Sequence, residues 1–115
     1  MATVSIDKVD VFQNIATSVT PTSVGEGDTV KLDYSGADYR TALIVTNGSA
    51  ANTLTVSGGN GYAGDVDDLT LEIEASKIGV VVLDSGYYKN LSGTDAGKVV
   101  LTASKACTAV LVELP

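Results

Sequence analysis

"DVDDLTLEIEASK", residues 65–77, decides between a helix and a strand in the middle of the chain. Val66, Leu69 and Ile73 would share one face of a helix, but Leu71 would fall off that face. The Leu and Ile residues from 69 to 73 instead alternate without a break with Thr and Glu, which is the pattern of a half-buried strand. The segment therefore predicts a β-strand.

The glycine-rich stretch just before residue 65 fits the sequence pattern of a nucleotide-binding turn. Gly59 to Gly64 fit G-x-G-x-x-G, and Asp84 stands near the offset at which such folds keep a ribose-binding carboxylate. That motif requires a helix to begin at its third glycine, because the helix amides hold the pyrophosphate. Since a strand is predicted there, we interpret the glycines as a connection between strands and expect no cofactor.

Short apolar segments bounded by turn residues recur along the whole chain. Two more alternate, "TVKLDY" (29–34) and "TLTV" (53–56). Four are apolar runs that predict strands buried more completely: "TALIVTN" (41–47), "IGVVVLD" (78–84), "GKVVLTA" (97–103) and "CTAVLVEL" (107–114). "VSIDKVDVF" (4–12) and "GYYKNL" (86–91) predict two further strands. About eight or nine strands at this spacing predict an all-β fold, a single-domain antiparallel β-sandwich of the jelly-roll type.

Composition excludes several kinds of chemistry. The 115 residues contain no histidine, and Cys107 is the single cysteine, so neither a disulfide within the chain nor His-dependent catalysis is expected. No apolar run approaches the length of about 20 residues that crosses a bilayer. Charged residues stand near the N-terminus where a signal peptide would be apolar, which argues for synthesis in a cytoplasm without export by that route. We expect a protein that is not an enzyme and does not contact a membrane.

Charge argues against nucleic acid as a partner. Seven Lys and Arg against fourteen Asp and Glu give a net charge of −7, and the basic residues are scattered from Lys8 to Lys105. A polyanion would be repelled by this chain.

Two clusters of polar residues are candidates for a metal site and for a protein interface. Asp65, Asp67 and Asp68 lack the order of a calcium loop, so we interpret them as solvated carboxylates and expect no metal. Tyr87, Tyr88 and Lys89 form a possible interface, because aromatic and basic residues are enriched where proteins meet. The alternative is a strand with one tyrosine in the core and the other outside.

The order of segments from Ala42 to Pro115 resembles that of a group of phage proteins. A strand ending in Thr-Asn, a T-x-T-V strand and a Gly-rich loop precede "DLTLEIEASK". "DSGYYKN", "SGTDAGKVVLT" and a last strand ending in Leu-Pro follow. This progression is similar to small tailed-phage and prophage virion proteins that decorate or cement the capsid, and it covers about two thirds of the chain.

The resemblance implies a structural role on the capsid exterior of a virion, after synthesis in the cytoplasm of the bacterial host. The implied partners are the major capsid protein of a phage and further copies of the chain, as a homotrimer. Residues 29–115 would form the β-sandwich, and residues 1–28, Ser/Thr-rich with Pro21, an arm or a strand that completes a sheet. Two alternatives stay open: another virion module of a tail or fibre, and a carbohydrate-binding β-sandwich, against which the absence of Trp and His counts.

Overall fold

Ten strands in two five-stranded sheets form the part of the chain that the computed structural model describes, residues 2–34, 40–58, 67–83, 88–90 and 96–115. In chain order they are β1 (Thr3–Ile6), β2 (Val9–Asp10), β3 (Thr22–Val24), β4 (Thr29–Asp33), β5 (Thr41–Asn47), β6 (Asn52–Val56), β7 (Leu69–Ile73), β8 (Ile78–Val81), β9 (Lys98–Ala103) and β10 (Cys107–Glu113). The all-β prediction is confirmed. The jelly-roll connection of the strands stays a prediction.

The first sheet has the strand order β1-β4-β9-β6-β7, and the second has the order β2-β10-β5-β8, with β3 also paired to β10. The sequence predicts purely antiparallel sheets, but both sheets are mixed. β1 pairs with β4 in parallel, and β2 pairs with β10 in parallel, whereas the other pairs are antiparallel. The parallel pairs arise at the N-terminus, which contributes a strand to each sheet.

A single hydrophobic core lies between the two sheets, which makes the arrangement a β-sandwich. Inward side chains of both sheets belong to one cluster of buried residues: Ile6, Val24, Val30, Leu32, Tyr34, Leu43, Val45, Leu54, Val56, Ile73, Leu83, Val99, Leu101, Ala103, Ala109 and Leu111. Alternation along each strand delivers these residues to one side. Two-layer packing of this kind is what hides the one-sided strands of a small β protein.

The segment 65–77 contains the strand that its alternation predicts. Leu69–Ile73 pairs with β6 over five positions, from Val56 opposite Leu69 to Asn52 opposite Ile73. A helix is absent from residues 67–77, so the dinucleotide interpretation fails on the element that it required. Gly59 to Gly64 and Asp84 lie outside the described residues.

β8 differs from its prediction. The run "IGVVVLD" predicts a strand buried on both sides, but β8 lies at the edge of the second sheet, with Ile78 and Val80 exposed. Its inward side is tight, because a Cβ atom at Gly79 would lie 2.7 Å from Cδ1 of Ile73 in the opposite sheet. The strand is therefore well packed on one side and uncovered on the other.

The predicted strand 4–12 is divided between the two sheets. β1 lies beside β4 and places Ile6 in the core, and β2 pairs with the end of β10. The segment 11–21 that follows is mostly exposed, including Phe12 and Ile15, and β3, which the sequence did not predict, then returns to β10. The possible arm is thus joined to the sandwich at both of its ends.

Two buried asparagines close the ends of strands. Asn52 donates from Nδ2 to the carbonyl of Lys105 at 3.0 Å, and its Oδ1 accepts from the Lys105 amide and the Ser104 hydroxyl. Asn47 donates from Nδ2 to three carbonyls, those of Ala50, Ile73 and Glu74. These bonds hold the β9–β10 and β7–β8 turns against neighbouring strands, since buried polar groups require partners.

Candidate functional site

The outer face of the first sheet is polar. Residues with outward side chains on neighbouring strands are held opposite one another by the register, and one row crosses all five strands with a threonine on each: Thr3, Thr29, Thr102, Thr55 and Thr70. Lys31 and Glu72 lie on the same face. This is the solvated outer surface expected of a half-buried sheet.

The outer face of the second sheet carries two apolar rows of residues, and a third row places Ile78 beside Thr46 and Thr108. Val80 of β8 lies opposite Ile44 of β5, and Ile44 lies opposite Val110 of β10, so one row consists of three β-branched apolar residues. The adjoining row is formed by Ala42, Val112 and Val9. Ala42 and Val112 are buried outside the core cluster, so the chain itself covers this part of the outer surface, whereas Ile78, Val80 and Val82 are exposed. We call this surface the apolar face, with the members Val9, Ala42, Ile44, Ile78, Val80, Val82, Val110 and Val112.

Charge is nearly absent from the strands that carry the apolar face. In β5, β8 and β10 the one charged residue is Glu113, at the end of β10. Its Oε1 lies 3.7 Å from Nζ of Lys8, and the same ammonium lies 2.9 Å from Oδ1 of Asp10. The hydrogen bond with Asp10 raises the pKa of Lys8, and the nearby carboxylates of Asp10 and Glu113 add to the effect. These charges are at the β2 end of the sheet, away from β8.

The predicted interface lies on the other side of the molecule. Tyr87 is outside the described residues. Tyr88 is half-buried and packs against the core cluster, and Lys89 forms an isolated bridge to Val99 of β9, in the first sheet. Residues 88–90 thus make one bridge in place of the predicted strand. The role of Tyr87, Tyr88 and Lys89 as an interface stays a prediction.

The acidic cluster is only partly described, because Asp65 lies outside the described residues. Oδ1 of Asp68 accepts a hydrogen bond from the Gly58 amide at 3.1 Å, and Asp67 is exposed. Within the described ranges, no three carboxylate, thiol or imidazole groups are placed to hold a metal ion.

Cys107 lines a shallow groove where β5 ends and β10 begins, with Thr46, Asn47, Gly48, Ala106 and Thr108. Its side chain is half-buried, and burial raises the pKa of the thiol, against which a hydrogen bond with Asn52 acts. A raised pKa lowers the fraction of thiolate near neutral pH, and the thiolate is the reactive form of a cysteine.

Comparison with family models, with curated proteins and with solved structures finds no match for this chain. In the part of the chain that the structure describes, no helix has the length and apolar character needed to span a membrane. The surface of the molecule is therefore the basis for the proposed function.

The exposure of the apolar face at β8 is a feature that the sequence pattern does not predict. β5, β8 and β10 carry apolar residues at both alternating positions. Such runs predict strands that are buried more completely. For β8 that prediction is wrong, since Ile78 and Val80 are exposed on the side away from the core.

Proposed function

We propose that this chain is a structural virion protein that binds the outside of a phage capsid and stabilises the shell by bridging neighbouring capsid subunits. In this proposal it acts as a homotrimer, with no nucleic acid among its partners. The observation that carries the homotrimer of this proposal is the row of exposed apolar side chains Ile78, Val80 and Val82, since uncovered apolar surface marks a site of contact between proteins. The order of strands and turns from Ala42 to Pro115, which resembles capsid-decorating proteins, supports the choice among such roles.

The mechanism needs only surface burial. A protein that binds the assembled shell, and not the free capsid subunits, adds its binding free energy to the assembled state alone. A contact of standard size buries about 800 Å² on each partner, which is ample for a lasting attachment when the fit is good. The shell then resists expansion and disassembly by the free energy of each attached copy.

Contact with the shell belongs, in this proposal, to surfaces other than the apolar face. The predicted interface Tyr87, Tyr88 and Lys89 is suitable, because Lys89 bridges to Val99 in the first sheet and so lies apart from Val80 and Ile44. A lysine at a protein contact adds charge complementarity, which favours correct orientation and fast association.

The test uses capsids of the phage that encodes this chain, prepared without it. Purified protein is added, the shells are sedimented, and the bound fraction and the temperature of shell disruption are measured. We expect saturable binding and a higher disruption temperature. The variant Lys89→Glu should bind more weakly than Lys105→Glu, a matched charge reversal at an exposed lysine whose partner is Glu26.

Failure of the wild-type protein to sediment with shells would contradict the proposal. Capture of tail or fibre proteins from infected cells would then favour the alternative virion module, and binding to a glycan array would favour the carbohydrate-binding alternative. Equal binding by the two lysine variants would remove Lys89 from the contact and leave shell binding intact.

A further inference from the structure

We infer that the apolar face is the surface through which copies of this chain associate with one another. The inference deepens the proposed homotrimer by naming its contact surface, and it does not depend on capsid binding. The occupant of the face is a second copy of the chain, and three properties of the described residues lead to it.

The first property is exposure on a rigid element. Ile78, Val80 and Val82 are 65, 67 and 58% exposed, although their neighbours in sequence Val81 and Leu83 are half-buried and buried. Ile78 and Val80 belong to β8, which pairs with β5 from Leu43 to Thr46, and Val82 follows directly after the strand. An apolar surface held by a sheet is preorganised for binding, because little conformational entropy is lost when a partner covers it.

The second property is charge. Each copy carries a net charge of −7, so two copies repel each other unless they meet where charge is absent. The apolar face provides such a place, because its members are all uncharged and Glu113 stands at the far end of β10. A different partner would be expected to meet an acidic protein through complementary charge, whereas a self-complementary surface presents the same residues to itself.

The third property is the open edge of the same strand. Among the described residues β8 is paired only with β5, so no described strand lies along its other side. Soluble proteins protect long apolar edges from indiscriminate pairing by charge, proline or a covering element. β8 has an apolar sequence, "IGVV", without charge or proline, and a covering copy supplies that protection.

Association needs only a part of the surface of this chain. A standard contact buries about 800 Å² on each partner, which is about one eighth of the 6353 Å² accessible surface of this chain. The apolar character also fits, since contacts between identical subunits are more apolar than the rest of the protein surface.

The experiment measures mass in solution by light scattering after size-exclusion chromatography, over a wide range of concentrations, for the wild type and three variants. Val80→Lys places a charge in the centre of the apolar face. Thr70→Lys is the matched control, because Thr70 is an exposed outward residue of β7, the edge strand of the first sheet, and the change in net charge is identical. Val80→Thr keeps the shape and the strand preference of valine, and so guards against a loss of folding.

We expect a wild-type mass of three times 11.7 kDa and the same mass for Thr70→Lys. Val80→Lys should raise the dissociation constant by about 100-fold or more, because the charge would be buried without a partner. Val80→Thr should raise it by about 10-fold. A wild-type mass of two copies that Val80→Lys abolishes would support this contact surface and contradict the trimer.

A monomeric wild type at every concentration would overturn the inference, and so would an unchanged mass for Val80→Lys. An equal rise of the dissociation constant for Thr70→Lys and Val80→Lys would also overturn the inference. The weaker association would then come from the added charge and not from its position on the apolar face. If the wild type is monomeric but Val80→Lys no longer sediments with shells, the occupant of the apolar face is the capsid. That result overturns self-association and the homotrimer, and leaves the proposed binding to the shell standing.

Discussion

The two outer faces of this sandwich are built by the same alternation of strand residues and have opposite chemistry. On the first sheet a row of five threonines crosses every strand, from Thr3 on β1 to Thr70 on β7. On the second sheet the corresponding kind of row is Val80, Ile44 and Val110. The first outer face is polar, as a solvated surface usually is, whereas this row of the second is apolar.

The difference between the two sheets lies in the number of apolar sides that their strands have. A strand in a two-layer protein needs one apolar side, and the strands of the first sheet have one. β5, β8 and β10 have two apolar sides, as strands do in the centre of a three-layer protein. The described residues supply two layers around the core, so Ile78 and Val80 of β8 have no described layer against their exposed side.

The comparison predicts that the inner faces, unlike the outer ones, are equivalent. Leu43 of the second sheet and Leu54 of the first are each 1% exposed and belong to the same core. Leu43→Ala and Leu54→Ala should each lower the free energy of unfolding by about 2–5 kcal/mol. Urea denaturation would measure this, with both changes made in the Val80→Lys variant so that self-association does not contribute.

A large loss for one leucine and almost none for the other would break the comparison. It would mean that only one sheet is anchored in the common core, and that the apolar character of the second sheet serves packing within the chain. Thr55→Ala, an outward change next to Leu54, is the control and should change stability by no more than about 0.5 kcal/mol.

The strands of the first sheet could be predicted almost residue by residue, because their alternation records which side meets water. "TVKLDY", "TLTV" and "DLTLEIEA" contain β4, β6 and β7. The buried runs also located β5, β9 and β10, since a short apolar run bounded by turn residues has few other uses in a small protein. Strand positions thus follow from local patterns.

Pairing and exposure could not be predicted, because they depend on residues distant in sequence. Nothing in "VSIDKVDVF" shows that Ile6 enters the core beside β4 while Val9 crosses to β10 in the other sheet. β3 could not be predicted, because the three residues "TSV" are too few to show an alternation of apolar and polar side chains. The exposure of Val80 became visible only when β8 was placed at an edge, since an apolar run has the same pattern whether or not another layer covers it.

Gly79 is the position that sharpens the contrast between the two sides of β8. Its inward Cβ would lie 2.7 Å from Cδ1 and 2.8 Å from Cγ1 of Ile73, closer than packed atoms approach. Gly79→Ala should therefore lower the free energy of unfolding by about 1–3 kcal/mol. Urea denaturation of the Val80→Lys variant with and without this change would measure the loss.

Shortening the side chain that it meets provides the control for Gly79→Ala. Ile73→Val alone should cost about 0.5–1.5 kcal/mol. The double variant should lose less than the two single losses together, by about 0.5 kcal/mol or more, because the contact with Cδ1 is relieved. Strict additivity would show that β8 is not pressed against β7 at this point.

The smallest effect is expected at the edge of the polar sheet, where a carboxylate holds β1. Oδ1 of Asp28 accepts from the Ala2 amide at 2.9 Å, and Oδ2 accepts from the Gly25 amide at 2.8 Å. The bond from Ala2 is the main cause that lowers the pKa of Asp28 below its ordinary 3.8, and the bond from Gly25 adds to it. Because the folded state prefers the charged form, the carboxylate stabilises the protein fully above the unfolded pKa, and this contribution is lost as the pH falls through the folded pKa.

Asp28→Asn should consequently lower the melting temperature at about pH 7 by a small amount, and the difference from the wild type should shrink as the pH falls toward about 2. Thermal unfolding followed by circular dichroism across this range, on the Val80→Lys variant, would measure both curves. A difference that stays constant with pH would show that the loss comes from the shape of the turn at Gly25 and not from the charge of Asp28. A difference that disappears in acid would show that the first sheet holds its edge strand β1 with an ionised group, whereas β8, at an edge of the second sheet, contains no ionisable residue.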